Sequence, residues 1–233
     1  RIVEFEALGP APFAGAMLAE MGAEVIVIHR VGGVQSPART GHSPLDRGKK
    51  SIVLNLKQEA DREIARRLCV KADGVIEGLR PGVMERLGLG PDDLRGTNAR
   101  LVYGRITGWG QTGPRAKQAG HDFNYAALTG ALWYASGVGD RPQTPPTVVG
   151  DIGGGALYLV VGMLTGILRA RDKGQGCVVD AAIVDGAAHM MNLLMSLQSN
   201  NSLSEARGQS LLDGPHWSRC YVCSDEAYIS VQC

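Results

Sequence analysis

The chain has 233 residues, 44% of them hydrophobic, which is enough for one large domain with a buried core. Its 24 lysines and arginines nearly balance 23 aspartates and glutamates, and the net charge of +1 offers no general attraction to nucleic acid or to an anionic membrane. Five scattered cysteines, an odd number, argue against a secreted disulfide framework and favour a reducing cytosol or organelle matrix.

Strands and helices alternate through the first half of the chain. Short apolar runs rich in β-branched residues predict strands at 1–5, 24–30, 51–56, 74–79 and 101–109. Apolar residues at helical spacing predict the intervening helices at 12–23, 57–72 and 81–87. Strands that alternate with helices build a parallel sheet with helices on both faces. We therefore predict an α/β protein with a Rossmann-like sheet.

The pattern loosens in the middle of the chain. Residues 113–146 are rich in glycine and proline and surround a predicted helix at about 124–134. Asp151 then opens a long apolar helix. Its most apolar stretch, 153–168, is shorter than the ~20 residues that span a bilayer, so we interpret it as a buried helix.

A polar stretch at 199–210 separates this domain from the beginning of another. Before it, residues 176–198 predict one further strand and helix, and after it residues 221–231 predict a hairpin that turns at Ser224. We place one large domain at 1–200. Residues 201–233 are then a linker and the beginning of a small α+β domain.

The common cofactor motifs are missing. The first strand is followed by ALGPAPFAGA and not by GxGxxG, which argues against NAD and FAD, and the sequence has no P-loop. Cys220 and Cys223 form a CxxC pair without a second pair at zinc spacing, so we expect no metal site.

Two acid/base candidates stand at predicted helix starts. A lone histidine such as His121 is more often a packing or surface residue, but Gly120 before it allows close backbone approach, and Asp122 or Asn124 can cap the helix that follows. Asp151 has the ordinary interpretation of an N-cap residue, where a helix dipole favours the ionised carboxylate.

Three consecutive glycines follow Asp151, at positions 153–155, and indicate that something approaches the backbone closely there. An imidazole and a carboxylate on opposite sides of one carbon can invert it, because one removes a proton while the other supplies one. His121 and Asp151 are the residues that we expect to face one another in this way.

Basic residues follow the predicted strands. Arg30 follows the second strand, Arg80 follows the fourth, and Arg86 lies one helical turn further. Because ligands bind at the carboxyl ends of strands in open α/β sheets, these cations can hold phosphates, although solvated surface arginines explain each one equally well. The segment DRGKKSIVLNLK adds four more cations: Arg47, Lys49, Lys50 and Lys57.

The whole chain resembles the α-methylacyl-CoA racemases of the family III CoA-transferase superfamily. The motifs that carry the resemblance are GPAPFAGAMLAEMGAEVIVIHR, DRGKKSIVLNLK, GLRPGVMERLGLGP, GWGQTGPRAKQAGHDFNYAALTG, GDIGGGAL and GQGCVVDAAIVDGAAHM. The resemblance implies a CoA thioester of a 2-methyl-branched acid as substrate. It also implies inversion at the α-carbon through an enolate, with no metal or redox cofactor.

The resemblance also assigns residues. The family's catalytic histidine falls on His121 and its aspartate on Asp151, each taking the α-proton from one epimer. The implied CoA contacts are Arg30, Leu54, Lys57, Gly78, Leu79 and Arg86.

A rival activity is CoA transfer, in which the family's nucleophilic aspartate falls on Asp122. His121 directly before it favours the racemase. A third hypothesis is a CoA- or nucleotide-binding module without catalysis.

Two departures from the family matter. Its members are longer, form interlocked homodimers, and carry a glutamate that assists the histidine beyond the position of Cys233, so we expect a piece of a longer protein that folds without being active. His29 also stands where the family usually has an acidic residue, next to Arg30. The family implies the cytoplasm in bacteria and peroxisomes or mitochondria in eukaryotes.

Overall fold

The central feature is a six-stranded parallel sheet. This computed structural model describes residues 1–33 and 43–233. The strands are β1 (Ile2–Phe5), β2 (Val25–Arg30), β3 (Lys50–Leu54), β4 (Gly74–Glu77), β5 (Val102–Thr107) and β6 (Val178–Ala182). They lie in the order β3-β2-β1-β4-β5-β6, and all neighbours are parallel. This order is that of a doubly wound sheet, and it confirms the predicted α/β fold.

Helices cover both faces of the sheet. They are α1 (Pro10–Glu20), α2 (Glu59–Val70), α3 (Val83–Arg86), α4 (Pro91–Thr97), α5 (Asp122–Leu128), α6 (Leu157–Lys173), α7 (Ile183–Met190) and α8 (Asn192–Ser199). Because side chains alternate along a strand, Ile2 packs into the core under α1 and α6, and Val3 packs into the core under α2 and α4. Two apolar layers therefore hold the sheet between helices.

The loop region after β5 is less helical than predicted. Helix α5 begins at Asp122 and ends at Leu128, whereas the sequence predicts a helix to about residue 134. Gly130 has φ 83°, the left-handed conformation that commonly terminates helices. Beyond it the indole of Trp133 donates to the carbonyl of Glu205 at 2.7 Å, so this segment is fixed by a tertiary contact instead.

The long apolar helix is longer than its most apolar stretch suggests. A π-helical segment, Val148–Ala156, runs directly into α6, and together they form 26 residues, Val148–Lys173. Length and composition alone would let this helix cross a membrane. Within the fold, however, one side of it is buried against β5 and β6 through Leu159 and Met163, so it is a core helix of the sheet.

A two-stranded antiparallel sheet completes the described chain. Its strands are β7 (Ser218–Val222) and β8 (Tyr228–Gln232), which confirms the predicted hairpin. The thiols of Cys220 and Cys223 are free. The domain boundary near residue 200 stays a prediction.

Candidate active site

One cavity lies where the strand order reverses, between β1 and β4. It has a volume of about 340 Å³ and opens at the carboxyl ends of the strands. Its walls come from the loops after β1, β4 and β5, at residues 8–10, 78–81 and 107–109. His121 and Asp151 both line it. The fold therefore brings the two predicted acid/base residues together at the topological switch point, where open α/β sheets bind ligands.

His121 is held at the start of α5. It is the N-cap residue, with an extended backbone at φ −137°, and its amide donates to Asn124 Oδ1 at 2.9 Å, which confirms the predicted capping role of Asn124. A Cβ on Gly120 would lie 2.8 Å from the Tyr125 ring and 2.9 Å from Trp109. Only glycine fits at position 120. The imidazole of the next residue, His121, is exposed and lines the cavity.

Asp151 lies within the π-helical segment and does not precede it. The N-cap residue is Thr147, in the left-handed conformation at φ 63°, so the N-cap interpretation of Asp151 is wrong. The glycines that follow do accommodate a close approach, but the approaching group is α7. A Cβ on Gly154 would lie 2.6 Å from the Ala187 amide.

The carboxyl group of Asp151 has a raised pKa. Burial is the largest cause and the negative charge of Asp122 adds to it, while His121 acts to lower it, and together these effects raise the pKa to about 6. The direction is opposite to the one predicted from a helix dipole, because the desolvation of a half-buried carboxylate outweighs that effect. A carboxyl group with such a pKa can both donate and accept a proton at physiological pH.

Asp122 does not line this cavity. Its side chain is buried, and Oδ1 accepts hydrogen bonds from the amides of Gly150 at 2.6 Å and Asp151 at 2.9 Å. Thr144 Oγ1 lies 3.5 Å from Oδ2. The structure thus places this carboxylate between α5 and the π-helical segment, and it is not among the residues that line the cavity with His121.

A second cavity, of about 600 Å³, lies at the carboxyl ends of β1, β2 and β3. Four of the predicted CoA contacts line it: Arg30, Leu54, Lys57 and Leu79. Leu79 also lines the first cavity, together with Gly78, so the two cavities meet at this loop. Arg86 is exposed on α3 and lines neither cavity.

Arg30 is oriented by Glu6, a residue that the sequence analysis missed. Glu6 is buried just after β1, and its Oε2 accepts from the Arg30 amide at 3.0 Å while its backbone carbonyl accepts from Arg30 Nη2 at 3.2 Å. His29 Nδ1 lies 2.8 Å from Oε1 of the same carboxylate. His29, which stands where the family usually has an acidic residue, therefore contacts the same Glu6 carboxylate that orients Arg30. An acid that directly follows a predicted strand, at the edge where ligands bind, is the signal that could have found Glu6.

Three of the four cations in the segment 47–57 are held away from the second cavity. Their side chains pair with carboxylates of other elements, as Arg47 with Glu20, Lys49 with Glu4 and Lys50 with Glu24. Lys49 is 2% exposed, so it cannot reach a ligand. Of the four cations, Lys57 is the one that lines the cavity.

A buried ion network supports the loop that both cavities share. Arg105 of β5 pairs with Glu77 at 2.8 Å and with Glu85 of α3 at 2.6 Å, and Glu77 Oε2 accepts from the Leu79 amide at 2.7 Å. Glu77 is fully buried. Burial raises its pKa, although the Leu79 amide and Arg105 both act to lower it. The position of Leu79 thus depends on Arg105.

The contact between α7 and the π-helical segment gives a test of the site's construction. A Cβ on Gly186 would lie 1.9 Å from the Gly154 carbonyl oxygen. We expect Gly186→Ala to lower the free energy of unfolding by about 1–3 kcal/mol, since backbone must shift to accept it. Urea unfolding measures this. Gly96→Ala in α4, where a Cβ meets nothing within 4 Å, is the control and should leave stability equal or higher by up to about 1 kcal/mol. Equal stability of both variants would contradict the close packing.

The comparisons with known proteins agree on one family. The sequence profile of CoA-transferase family III matches residues 1–233. The α-methylacyl-CoA racemase of Mus musculus is 40% identical over 214 residues, which are 92% of this chain and 55% of that protein. The acetyl-CoA:oxalate CoA-transferase of Acetobacter aceti is 36% identical over 79% of this chain and 50% of its own length. The chain thus spans about half the length of these relatives.

A solved structure shares the fold. A CAIB/BAIF family protein from Brucella suis matches all of this chain and 64% of its own chain, with a TM-score of 0.85 and 27% identity. The similarity includes the central parallel sheet and extends to the end of the described chain.

Proposed function

We propose, on the premise that this chain belongs to CoA-transferase family III, that it interconverts the two configurations of 2-methylacyl-CoA thioesters. The observation that carries the proposal is that His121 and Asp151 line one cavity at the switch point of the sheet. The similarity to α-methylacyl-CoA racemase supports it. The substrate class rests on that similarity.

The reaction needs a base on each side of one carbon. The thioester carbonyl makes the α-proton removable, because the electron pair left by the departing proton is delocalised onto oxygen as an enolate. In one direction the His121 imidazole takes the proton, and protonated Asp151 returns its own proton to the opposite face. The product then has the inverted configuration, His121 is protonated and Asp151 is ionised. The reverse direction exchanges the two roles.

The second cavity fits the CoA part of such a substrate. Arg30 and Lys57 supply positive charge for phosphates, and the apolar walls that include Leu54 suit the rest of the carrier. Leu79 joins this cavity to the one that holds the bases. A single extended ligand can therefore place its phosphates at Arg30 and its reacting carbon near Asp151.

CoA transfer is the alternative, supported by the similarity to acetyl-CoA:oxalate CoA-transferase. It requires Asp122 to attack the thioester carbon and release CoA thiolate. The side chain of Asp122 is buried and does not line the cavity that holds His121 and Asp151, and its Oδ1 accepts two backbone hydrogen bonds. This arrangement favours proton transfer by His121 and Asp151.

Hydrogen exchange tests the proposal. The complete gene product that contains these residues is incubated in deuterated water with (2S)-2-methyldecanoyl-CoA. We expect the 2-methyl doublet in the proton NMR spectrum to collapse as deuterium enters the α-position, and the 2R epimer to appear. A preparation that binds CoA but gives neither exchange nor epimer would overturn the proposal. Transfer of CoA to oxalate, with a hydroxylamine-sensitive adduct on Asp122, would support the alternative instead.

A further inference from the structure

Asp122 joins the two elements that carry the proposed bases. It is the first residue of α5, directly after His121, and its Oδ1 accepts from the amides of Gly150 and Asp151 itself. We propose that Asp122 is a positioning residue, whose carboxylate holds the π-helical segment against α5 and so fixes Asp151 relative to His121. The catalytic meaning of this inference rests on the proposed function, whereas its geometric part does not.

The bond network makes the distance between the bases depend on one side chain. The backbone of His121 is fixed by Asn124, and the next residue in the chain holds the amide of Asp151. Two consecutive residues therefore set the position of the imidazole and of the carboxyl group. A loss of the Asp122 hydrogen bonds would free the segment that presents Asp151 while leaving His121 in place.

The π-helical segment needs such an anchor. It begins after Thr147, a β-branched residue in the left-handed conformation at φ 63°, which is sterically unfavourable. π-Helical turns are themselves rare in proteins. Gly150 permits the contact with α5, since a Cβ there would lie 2.9 Å from Asp122 Oδ1 and 3.0 Å from its carbonyl oxygen. Hydrogen bonds to a charged acceptor are stronger than neutral ones and can hold an unfavourable backbone.

The charge of Asp122 also acts on Asp151. Among the residues that the structure describes, the ionisable groups that interact with Asp151 are His121, Asp122 and Tyr125, all from the α5 side. The start of α1 contributes Gly9, and α7 contacts the segment through Ile183 and Ala187, none of which is ionisable. Asp122 is hydrogen-bonded to the Asp151 amide and is negatively charged. Its charge raises the pKa of the Asp151 carboxyl group and is the second-largest cause after burial.

Two substitutions separate the charge from the hydrogen bonds. Asp122→Asn removes the charge but keeps an oxygen that can accept from the two amides, whereas Asp122→Ala removes both. The matched control is Asp172→Asn, which removes an exposed aspartate paired with Lys173 at the end of α6. The titration of the Asp151 carboxyl carbon is followed by ¹³C NMR, with its signal assigned from its loss in Asp151→Asn.

We expect the Asp151 titration midpoint to fall by roughly half a unit or more in Asp122→Asn and to stay unchanged in Asp172→Asn. In Asp122→Ala, the amides of Gly150 and Asp151 should exchange with solvent at least about tenfold faster. For turnover of a 2-methylacyl-CoA, Asp122→Asn should lower kcat by a larger factor than it changes KM. The limb of the pH profile that reports Asp151 should move to lower pH, which is the acidic limb for the epimer that Asp151 deprotonates and the basic limb for the other epimer. A merely structural residue would not move that limb.

An unchanged midpoint together with unchanged amide exchange would overturn the inference. If the variants do not fold, the unmodified protein still tests it, because a through-hydrogen-bond coupling must join the amide nitrogen of Gly150 to the Asp122 carboxyl carbon. Absence of that coupling, with rapid exchange of the same amide, counts against it. If the Asp151 titration midpoint shifts in Asp122→Asn but the unmodified protein does not exchange the α-hydrogen, the proposed function is wrong and the positioning role of Asp122 stands.

Discussion

His121→Gln and Asp151→Asn should each lower the rate of the proposed racemisation at least about 10³-fold, because each removes one of the two proton-transfer groups that the proposed reaction needs. The two variants should differ in what they retain. Each keeps slow exchange of the α-hydrogen in the one epimer whose C–H faces the remaining base, and the two variants should keep exchange in opposite epimers. Proton NMR in deuterated water with each pure epimer measures this.

Controls for these variants come from the surface of the same chain. His189→Gln replaces an exposed histidine whose Nδ1 lies 2.6 Å from the Tyr158 hydroxyl and which lines neither cavity. Asp172→Asn removes an exposed carboxylate. Both should racemise at the rate of the unmodified protein. Retention of exchange in the same epimer by His121→Gln and Asp151→Asn would contradict a base on each face of the α-carbon.

Arg105→Met should lower the free energy of unfolding by about 3–5 kcal/mol, since it leaves the fully buried Glu77 without its cationic partner. The effect should depend on pH. Burial raises the pKa of Glu77 in the folded protein, and removal of Arg105 raises it further, so protonation favours the folded state. The loss is then largest above the folded-state pKa and shrinks as the pH falls toward that of an unfolded glutamate.

Urea unfolding at pH 5 and pH 8 measures both the size and the sign of this dependence. Arg47→Met is the matched control, because its pair with Glu20 is exposed on both sides, and it should change stability by less than about 1 kcal/mol at either pH. Equal losses in the two variants, or a larger loss at pH 5, would contradict the role of the buried network.

The fold was predictable because it rests on local patterns. Apolar runs and helical spacing depend on neighbouring residues, and the alternation of strands with helices then restricts the topology. The predicted ends of helices and strands were less accurate where a contact with a distant residue determines the end. The helix after His121 stops at Leu128 because of Gly130 and the contact of Trp133 with Glu205, which lies 72 residues away.

For the candidate site, the sequence predicted which acid/base residues lie together but not the backbone and ion pairs around them. The resemblance gave His121 and Asp151, and the structure brings both to one cavity. Helical periodicity does not distinguish a π-helical turn from an α-helical one, so the N-cap interpretation of Asp151 failed. Lys49 pairs with Glu4 of β1, and Arg30 contacts Glu6, which lies just after β1. Both partners are remote in sequence, so no local pattern reveals them.

The loop at Leu79 contributes to the walls of both cavities and so affects the distance between them. Its amide is fixed to Glu77, so the separation between the cation at one end and the proton-transfer pair at the other is set by the buried interior and not by a flexible rim. On the proposed function, a thioester on a shorter carrier would reach one end and miss the other. The buried pair of Glu77 and Arg105 would then contribute to selection among carriers of different length.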